Sequence, residues 1–318
     1  MQLSVVIPLR DEEENLPRLH PALTSALEAS GRSYEIVYVD DGSVDKTRVL
    51  LKDFAQADHR VKVIGLRKSF GQTGALAAGF DHATGGVIIT MDGDLQNDPA
   101  DIPQLLAKMD EGYDVVSGWR KDRHDPFVTR RLPSMIANGM IGAVTGVRLH
   151  DYGCTLKAYR AEVIKGVRLY GEMHRFLPAL SNLLGARIAE IPVTHHARRF
   201  GRSHYGLGRT LKVMLDLLTV KFLSDFATKP IYVFGGLGLT LCAGGTVAGA
   251  VTLWEKYAQG VWVHRNPLIL LAVFLFLLGV GFIMMGLLAE LVIRTYHESQ
   301  RKAIYVIRDT ENVTAAEV

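Results

Sequence analysis

Apolar, β-branched runs alternate with helix-like patterns through the first 120 residues, and this alternation predicts the elements. "LSVVIPL" (Leu3–Leu9) predicts a first strand, with a helix near Leu16 to Ser30. "YEIVYVDDGS" predicts a second strand and its turn, and "DKTRVLLKDFAQA" the helix after it. "VKVIGL" is a third strand before the helix "GALAAGFDHA". "GVIITMDGD" is a fourth, before the helix "PADIPQLLAKMDEG", and "YDVVSGWR" is a fifth. Strands this apolar need cover on both faces, which predicts a largely parallel sheet between two layers of helices. In such sheets ligands bind at the carboxyl ends of the strands. The polar residues gather there: Pro8 to Glu12, Asp40 to Ser43, Leu66 to Gly74, and Asp92 to Gln96.

The pattern changes after residue 206. "LGRTLKVMLDLLTVKFLSDFATKP" mixes an apolar stripe with Arg209, Lys212, Asp216, Lys221 and Asp225, which predicts an amphipathic helix at a membrane interface. Ile231 to Trp254 and Leu268 to Ala289 then carry no charged residue. Each is long enough to cross a hydrocarbon core as a helix, and "EKYAQGVWVHRNP" between them makes a hairpin. Trp254, Tyr257 and Trp262 suit the interfacial belt, and Gly245 and Gly249 suit close helix approach. Lys221 and Lys229 precede the hairpin and Arg294, Arg301 and Lys302 follow it, so the positive-inside rule places both ends in the cytoplasm. The expected boundaries are a catalytic domain over 1–206, an interfacial helix over 207–229, a hairpin over 230–292 and a tail with a short strand over 293–318.

Composition agrees with a membrane part: 48% of the residues are hydrophobic and the mean hydropathy is +0.13. Two cysteines, Cys154 and Cys242, supply neither a disulfide framework nor a zinc spacing. The amino-terminal segment lacks the basic start and unbroken apolar run of a signal peptide. Net charge is only +3, but from Val115 to Lys212 Lys and Arg outnumber Asp and Glu by 17 to 6. That excess points to an anionic partner.

Two motifs carry candidate chemistry. "ITMDGDLQNDP" ends a buried strand in carboxylates, with Gly93 removing bulk between Asp92 and Asp94. Hard divalent cations take oxygen ligands and keep places for phosphate and water. Asp94 suits direct metal contact, Asp92 a metal or a ribose hydroxyl, and Gln96 adds an amide oxygen. "VDDGSVDKT" repeats the design, with Ser43 or Asp45 available to cap the next helix. The dinucleotide G-x-G-x-x-G is absent from the first strand-helix turn, and no Walker A sequence occurs, which argues against a dehydrogenase or a P-loop NTPase. His195, His196 and His204 match no helix-borne metal pair and are expected to be structural.

"VVIPLRDEEENLP", "VDDGSVDKT", "GQTGALAAGFDHATGGVIITMDGDLQNDP" and "DYGCTLKAYR" resemble the inverting family 2 glycosyltransferases, and more narrowly those that use polyprenyl phosphates. Within that group the likeness is greatest to the undecaprenyl-phosphate 4-deoxy-4-formamido-L-arabinose transferases; dolichol-phosphate mannose synthases are more distant. The resemblance implies a GT-A type, Rossmann-like parallel or mixed sheet with helices on both faces, ahead of the amphipathic helix and two membrane helices. It implies that Pro8, Leu9, Glu12, Asp40, Gly74 and Asp92 bind the donor. It also implies that Asp92, Asp94 and Gln96 bracket its diphosphate with Mg²⁺ or Mn²⁺. Arg120, Arg130, Arg131, Ser134, Arg199, Arg202 and Ser203 would hold the acceptor phosphate, in keeping with the basic middle third. Asp94 and Asp151 would be catalytic, with Asp151 in the general-base position. Because a phosphate monoester is already largely anionic at neutral pH, Asp151 has a second option, to position a substrate. The implied partners are a nucleotide sugar, UDP-linked ahead of GDP-mannose, a polyprenyl phosphate and membrane lipid, with no nucleic acid. A homotetramer at the bacterial inner membrane, with its catalytic part in the cytoplasm, is implied as well. A processive polysaccharide synthase is the nearest rival, but the Q-x-x-R-W motif and the further spans of that class are missing.

Overall fold

The computed structural model describes residues 2–121, 132–167, 169, 173–197, 231–299 and 304–313. The chain divides into two units, Met1–Lys221 with Ala303–Val318, and Phe222–Lys302. The first is an α/β unit. Its strands are β1 (Leu3–Leu9), β2 (Tyr34–Asp40), β3 (Val61–Leu66), β4 (Val87–Thr90), β5 (Val115–Trp119), β6 (Lys157–Arg160), β7 (Ile188–Pro192) and β8 (Ile307–Glu311). Its described helices are α1 (Leu16–Ala29), α2 (Thr47–Ala57), α3 (Gly71–His82), α4 (Ile102–Asp110), α5 (Leu132–Thr145), α6 (Ala161–Ile164) and α7 (Leu177–Leu183).

The eight strands form one mixed sheet in the order β7-β5-β6-β4-β1-β2-β3-β8. β1 pairs in parallel with β2 on one side and β4 on the other. The chain therefore winds outward from β1 in both directions, and the crevice at the carboxyl ends of β1 and β4 is the switch point where such sheets bind ligands. Two strands run against the rest. β6 lies antiparallel between β4 and β5, and β8 is antiparallel on β3.

The central strands are apolar on both faces because both are covered. On one face Leu16, Leu19, Leu23 and Leu27 of α1 meet Leu3, Val5, Ile7, Ile36 and Ile89 in the main core. On the other face α3 packs so closely that a Cβ on Gly79 would run into Val6 Cγ1, and Ala75, Ala78 and Phe80 are buried beside it. The buried Glu35 does not breach this pattern. Its carboxylate pairs with Lys62 at 3.0 Å and accepts from Ser4 Oγ and Thr84 N, closing the amino-terminal end of the sheet.

The strands and helices expected up to Trp119 are all present, with shifted edges. α3 starts one turn before Gly74, at Gly71, and a single 3₁₀ turn (Pro99–Asp101) precedes α4. The short strand expected in the tail is Ile307–Glu311, and it extends the sheet of its own chain. The predicted amphipathic segment lies outside the described residues.

The second unit is a pair of helices, α8 (Ile231–Gln259) and α9 (Leu268–Ser299). Within them Phe234–Gln259 and Leu268–Ala289 are long and apolar enough to cross a membrane, with mean hydropathy 1.5 and 3.0. Only 17% and 11% of these stretches are buried, unlike the core helices of a soluble protein. Glycines let the two backbones touch. A Cβ on Gly279 would sit 2.6 Å from Gly238 O, and one on Gly245 2.8 Å from Ala272 O. Gly249, expected to share this role, has room for a side chain, with Ala272 Cβ 3.9 Å away.

Ile89 is fully buried in β4, between β1 and β6. Ile89→Ala should cost about 2–5 kcal/mol through the cavity it leaves, read as a lowered midpoint in chemical denaturation of the detergent-solubilised chain. A change below about 0.5 kcal/mol, the size of a surface effect, would contradict a tightly packed central strand.

Candidate active site

The Asp-Gly-Asp motif begins two residues past β4, at the switch point. The register places Val6 against Thr90, so β1 runs three residues further and Leu9 lies beneath Gly93. A Cβ on Gly93 would collide with Leu9 Cδ2, which is why the loop needs glycine there. Asp94 is 7% exposed, and its Oδ1 accepts from Gln96 N at 3.2 Å. Leu95 adopts φ +61°, unusual for a side chain of its size. Strain of this kind persists where the surroundings over-determine a loop, as at a ligand site.

Asp92 accepts from Gln72 Nε2 at 2.8 Å. Burial, and then the charge of Asp94, push the Asp92 carboxyl above its ordinary value, against hydrogen bonding to Thr155 and the positive charges of Arg120 and Lys157. Two adjacent carboxylates in a poorly solvated place suit a cation between them and the substrate. Among the described residues no group of three or more His, Cys, Asp or Glu side chains is gathered for a metal. A divalent ion here would thus take two carboxylates, and Gln96 as a third donor, and draw its remaining oxygens from phosphate and water. This donor set fits Mg²⁺ or Mn²⁺.

The predicted donor residues separate into a loop and its foundation. Beyond Pro8 and Leu9, Asp11 (φ +56°) turns the chain. The loop is then stitched to the one after β2: Asp11 N donates to Ser43 Oγ at 3.0 Å, Glu12 N to Thr47 Oγ1 at 2.7 Å, and Lys46 N to Glu13 Oε2 at 2.8 Å. Asp45 accepts from Glu13 N and Thr47 N, so it serves both loops rather than only capping α2. Asp40 differs from its expected role. It is 0% exposed, with Oδ2 on Arg48 Nη1 at 3.0 Å and Oδ1 on Ser43 N at 2.9 Å. It braces the pocket from below rather than facing a ligand. Asp41 is equally committed, capping α3 through Phe70 N, Gly71 N and Ser69 Oγ. Gly74 is buried within α3, where a Cβ would sit 2.8 Å from Phe70 Cβ, so it packs the helix rather than lining the pocket.

Asp151 and Arg120, predicted for different roles, are partners. Arg120 Nε and Nη2 reach Asp151 Oδ2 and Oδ1 at 2.7 and 2.9 Å, a bidentate pair. Asp151 is 3% exposed, and Gly153 N donates to the same carboxylate at 3.1 Å. Burial alone would lower the Arg120 pKa; the Asp151 pairing outweighs it and holds the group above its ordinary value. The turn is held from outside by Glu190 of β7, which accepts from His150 N and Asp151 N at 2.9 and 3.0 Å. Arg130, Arg131, Arg199, Arg202 and Ser203 lie outside the described residues; Ser134 is in α5, but its side chain is outside them.

Two contributors were not singled out from the sequence, and a third was expected only to be structural. Gln72 sits in the quoted "GQTGALAAGF" but was overlooked among more obvious carboxylates. Lys157, in "DYGCTLKAYR", is 3% exposed, and its ammonium donates to Tyr152 O at 3.2 Å and to Cys154 O. Burial lowers its pKa, while Cys154, Asp151 and Asp92 oppose the fall. β6 is only four residues long and carries Arg160 as well, so nothing in its sequence marks Lys157 as buried. His196 is the third. Its N–H donates to Gln96 O at 2.9 Å and its ring meets Asp98 Oδ2 at 2.9 Å, while His195 bridges Asn97. His195 and His196 pin the carboxylate loop itself, and His204 lies outside the described residues.

Comparison with known proteins adds family to geometry. Residues 4–168 match the Glycosyl transferase family 2 domain. The chain is 42% identical over 315 residues to the dodecaprenyl-phosphate galacturonate synthase of Rhizobium johnstonii, covering 97% of this chain and 92% of that one. Among solved structures it resembles glucosyl-3-phosphoglycerate synthase of Mycobacterium tuberculosis in its complex with Mn²⁺, UDP and phosphoglyceric acid. The TM-score is 0.56 at 19% identity, over 69% of this chain and 78% of that one. The same enzyme with Mn²⁺ and UDP-glucose gives 0.54 at 18% identity, over 69% and 78%. At this identity the likeness speaks for the fold, a GT-A-like mixed sheet. The extent of the domain match and the near full-length relative together show that the chain belongs to glycosyl transferase family 2 and is a glycosyltransferase.

Proposed function

We propose that this chain transfers a sugar from a UDP-sugar to the phosphate of a polyprenyl phosphate at the cytoplasmic face of a membrane, giving a lipid-linked sugar. The observation that carries this is the paired carboxylate motif at the β1/β4 switch point, in a chain that also has two helices fit to span a bilayer. The full-length likeness to a dodecaprenyl-phosphate galacturonate synthase supports the lipid acceptor. It also favours galacturonate among the sugars that the sequence leaves open.

Pro8 and Leu9 end β1, Glu12 lies on the loop beyond that would receive the nucleotide, braced by Asp40, and Asp92, Asp94 and Gln96 lie where its diphosphate would end. A bound Mg²⁺ or Mn²⁺ would neutralise charge building on the departing nucleoside diphosphate. Gln72 fixes the Asp92 carboxylate from α3, and His196 fixes the Gln96 backbone from the far side. The acceptor phosphate is its own nucleophile near neutral pH. Asp151, with both oxygens on Arg120, is therefore a positioning group and not a proton acceptor. The pair holds the wall of the pocket across from the carboxylate loop, and attack opposite the leaving group inverts the anomeric carbon. Arg130, Arg131, Ser134, Arg199, Arg202 and Ser203 supply the remaining phosphate contacts in this proposal.

The direct test supplies membranes carrying the chain with polyprenyl phosphate, Mg²⁺ and a panel of UDP-sugars, then reads UDP release and the mass of the lipid product. UDP-galacturonate should give the highest turnover. Turnover with no UDP- or GDP-sugar would end the proposal. Asp94→Asn should lower kcat by about 10²–10³-fold, as expected when a leaving-group stabiliser is lost, with the fold intact by circular dichroism. Near-normal turnover would contradict the assignment.

The ion pair gives a separate prediction. Arg120→Met strands a buried carboxylate and should cost about 3–5 kcal/mol of stability. Adding Asp151→Asn should recover part of that loss, measured by denaturation of all four members of the cycle. Strictly additive costs would show that the two side chains do not act as a unit.

A further inference from the structure

The last described strand belongs to the sheet, yet it follows α9 in the chain, and one of its side chains reaches the foundation of the donor loop. Arg48 of α2 spreads its guanidinium between two carboxylates. Nη1 meets Asp40 Oδ2 at 3.0 Å and Nη2 meets Asp309 Oδ1 on β8. The space for this fork is specific. A Cβ on Gly65 of β3 would run into Arg48 Nη1 and into Asp309 Oδ1, and the β3/β8 register shifts between Gly65 and Leu66. Lys52, one turn along α2, adds a second cation, 3.2 Å from Glu311 of β8.

From Asp40 the contacts continue upward. Its other oxygen accepts from Ser43 N, Ser43 Oγ accepts from Asp11 N, and Asp11 Oδ1 accepts from Val44 N at 2.8 Å. Asp11 and Glu12 are the loop proposed to receive the nucleotide. We infer that Asp309 is a positioning residue for donor binding: from the carboxyl-terminal strand, through Arg48 and Asp40, it holds the β1 and β2 loops in their receiving shape. The inference rests on those loops being the donor pocket.

Asp40 is entirely buried and Arg48 nearly so, with side-chain exposures of 0% and 16%. Without Asp309 the fork has one partner and its second arm turns to solvent. Asp40 then has a less constrained counter-ion, and the donor must order the loop on binding. Affinity falls, while the chemistry of the saturated complex does not.

The strand carries its own control. Asn312 Nδ2 donates to Ala55 O and Val61 O at 2.7 and 2.9 Å, anchoring the end of β8 without touching Arg48. The test is calorimetric titration of the full-length solubilised chain with UDP, and with GDP, in Mg²⁺, beside kcat and KM for the donor. Asp309→Asn should weaken nucleotide binding and raise the donor KM by about threefold to tenfold, the cost of ordering one or two side chains on binding, with kcat within twofold. Asn312→Ala should lower the melting temperature with binding unchanged. Wild-type affinity in Asp309→Asn, or equal weakening in Asn312→Ala, would overturn the inference and leave β8 a simple clasp. A wild-type chain that binds neither nucleotide would instead overturn the donor pocket itself.

Discussion

Two carboxylates at the poorly solvated end of a buried strand repel one another, and much of the first unit answers that repulsion. Asp92 and Asp94 cannot both stay charged at low cost unless something positive stands near. The chain supplies part of this itself. Arg120 and Lys157 both act on Asp92 from the β5 and β6 side, and Gln72 donates to it from α3. Arg120 is in turn engaged by Asp151, and the Lys157 ammonium is tied to the carbonyls of the turn that carries Asp151. A divalent cation would add to this compensation, and a diphosphate would share the ion.

The same constraint explains the strand that breaks the parallel pattern. β6 enters antiparallel between β4 and β5, which brings Lys157 beside Thr90 and Ser117 in the layer beneath the motif. The parallel strands β4 and β5 offer the hydroxyls of Thr90 and Ser117 there, and no charge. The reversal places a buried cation and the Asp151 turn on the crevice side.

The front of the chain was legible because its strands are apolar throughout and its loops are not, so β1 to β5 and their helices follow from period and turn chemistry. The motif was legible too, because carboxylates after a buried strand are conspicuous. Less was readable where a residue's partner is remote in sequence. Asp40 looks like a ligand contact until Arg48 and the buried end of β2 are seen. Arg120 and Asp151, 31 residues apart, carry no sign of being one ion pair. β6 and β7 were missed because four- and five-residue strands containing Lys157, Arg160 and Glu190 lack an apolar run. The bounds of β8 were not readable for a similar reason: the apolar stretch "AIYVI" reaches only the first residue of the strand, and the rest of "IRDTE" is polar at the edge of the sheet.

At the centre of the account is the proposed cation site at Asp92 and Asp94, which the nucleotide's diphosphate would complete. Electron paramagnetic resonance titration of Mn²⁺ into the purified full-length chain, with and without UDP, reads this directly. The account predicts weak Mn²⁺ binding to the chain alone and binding about tenfold or more tighter with UDP, a coupling that UDP must return in its own affinity. Tight Mn²⁺ binding without nucleotide, or binding indifferent to UDP, would contradict it.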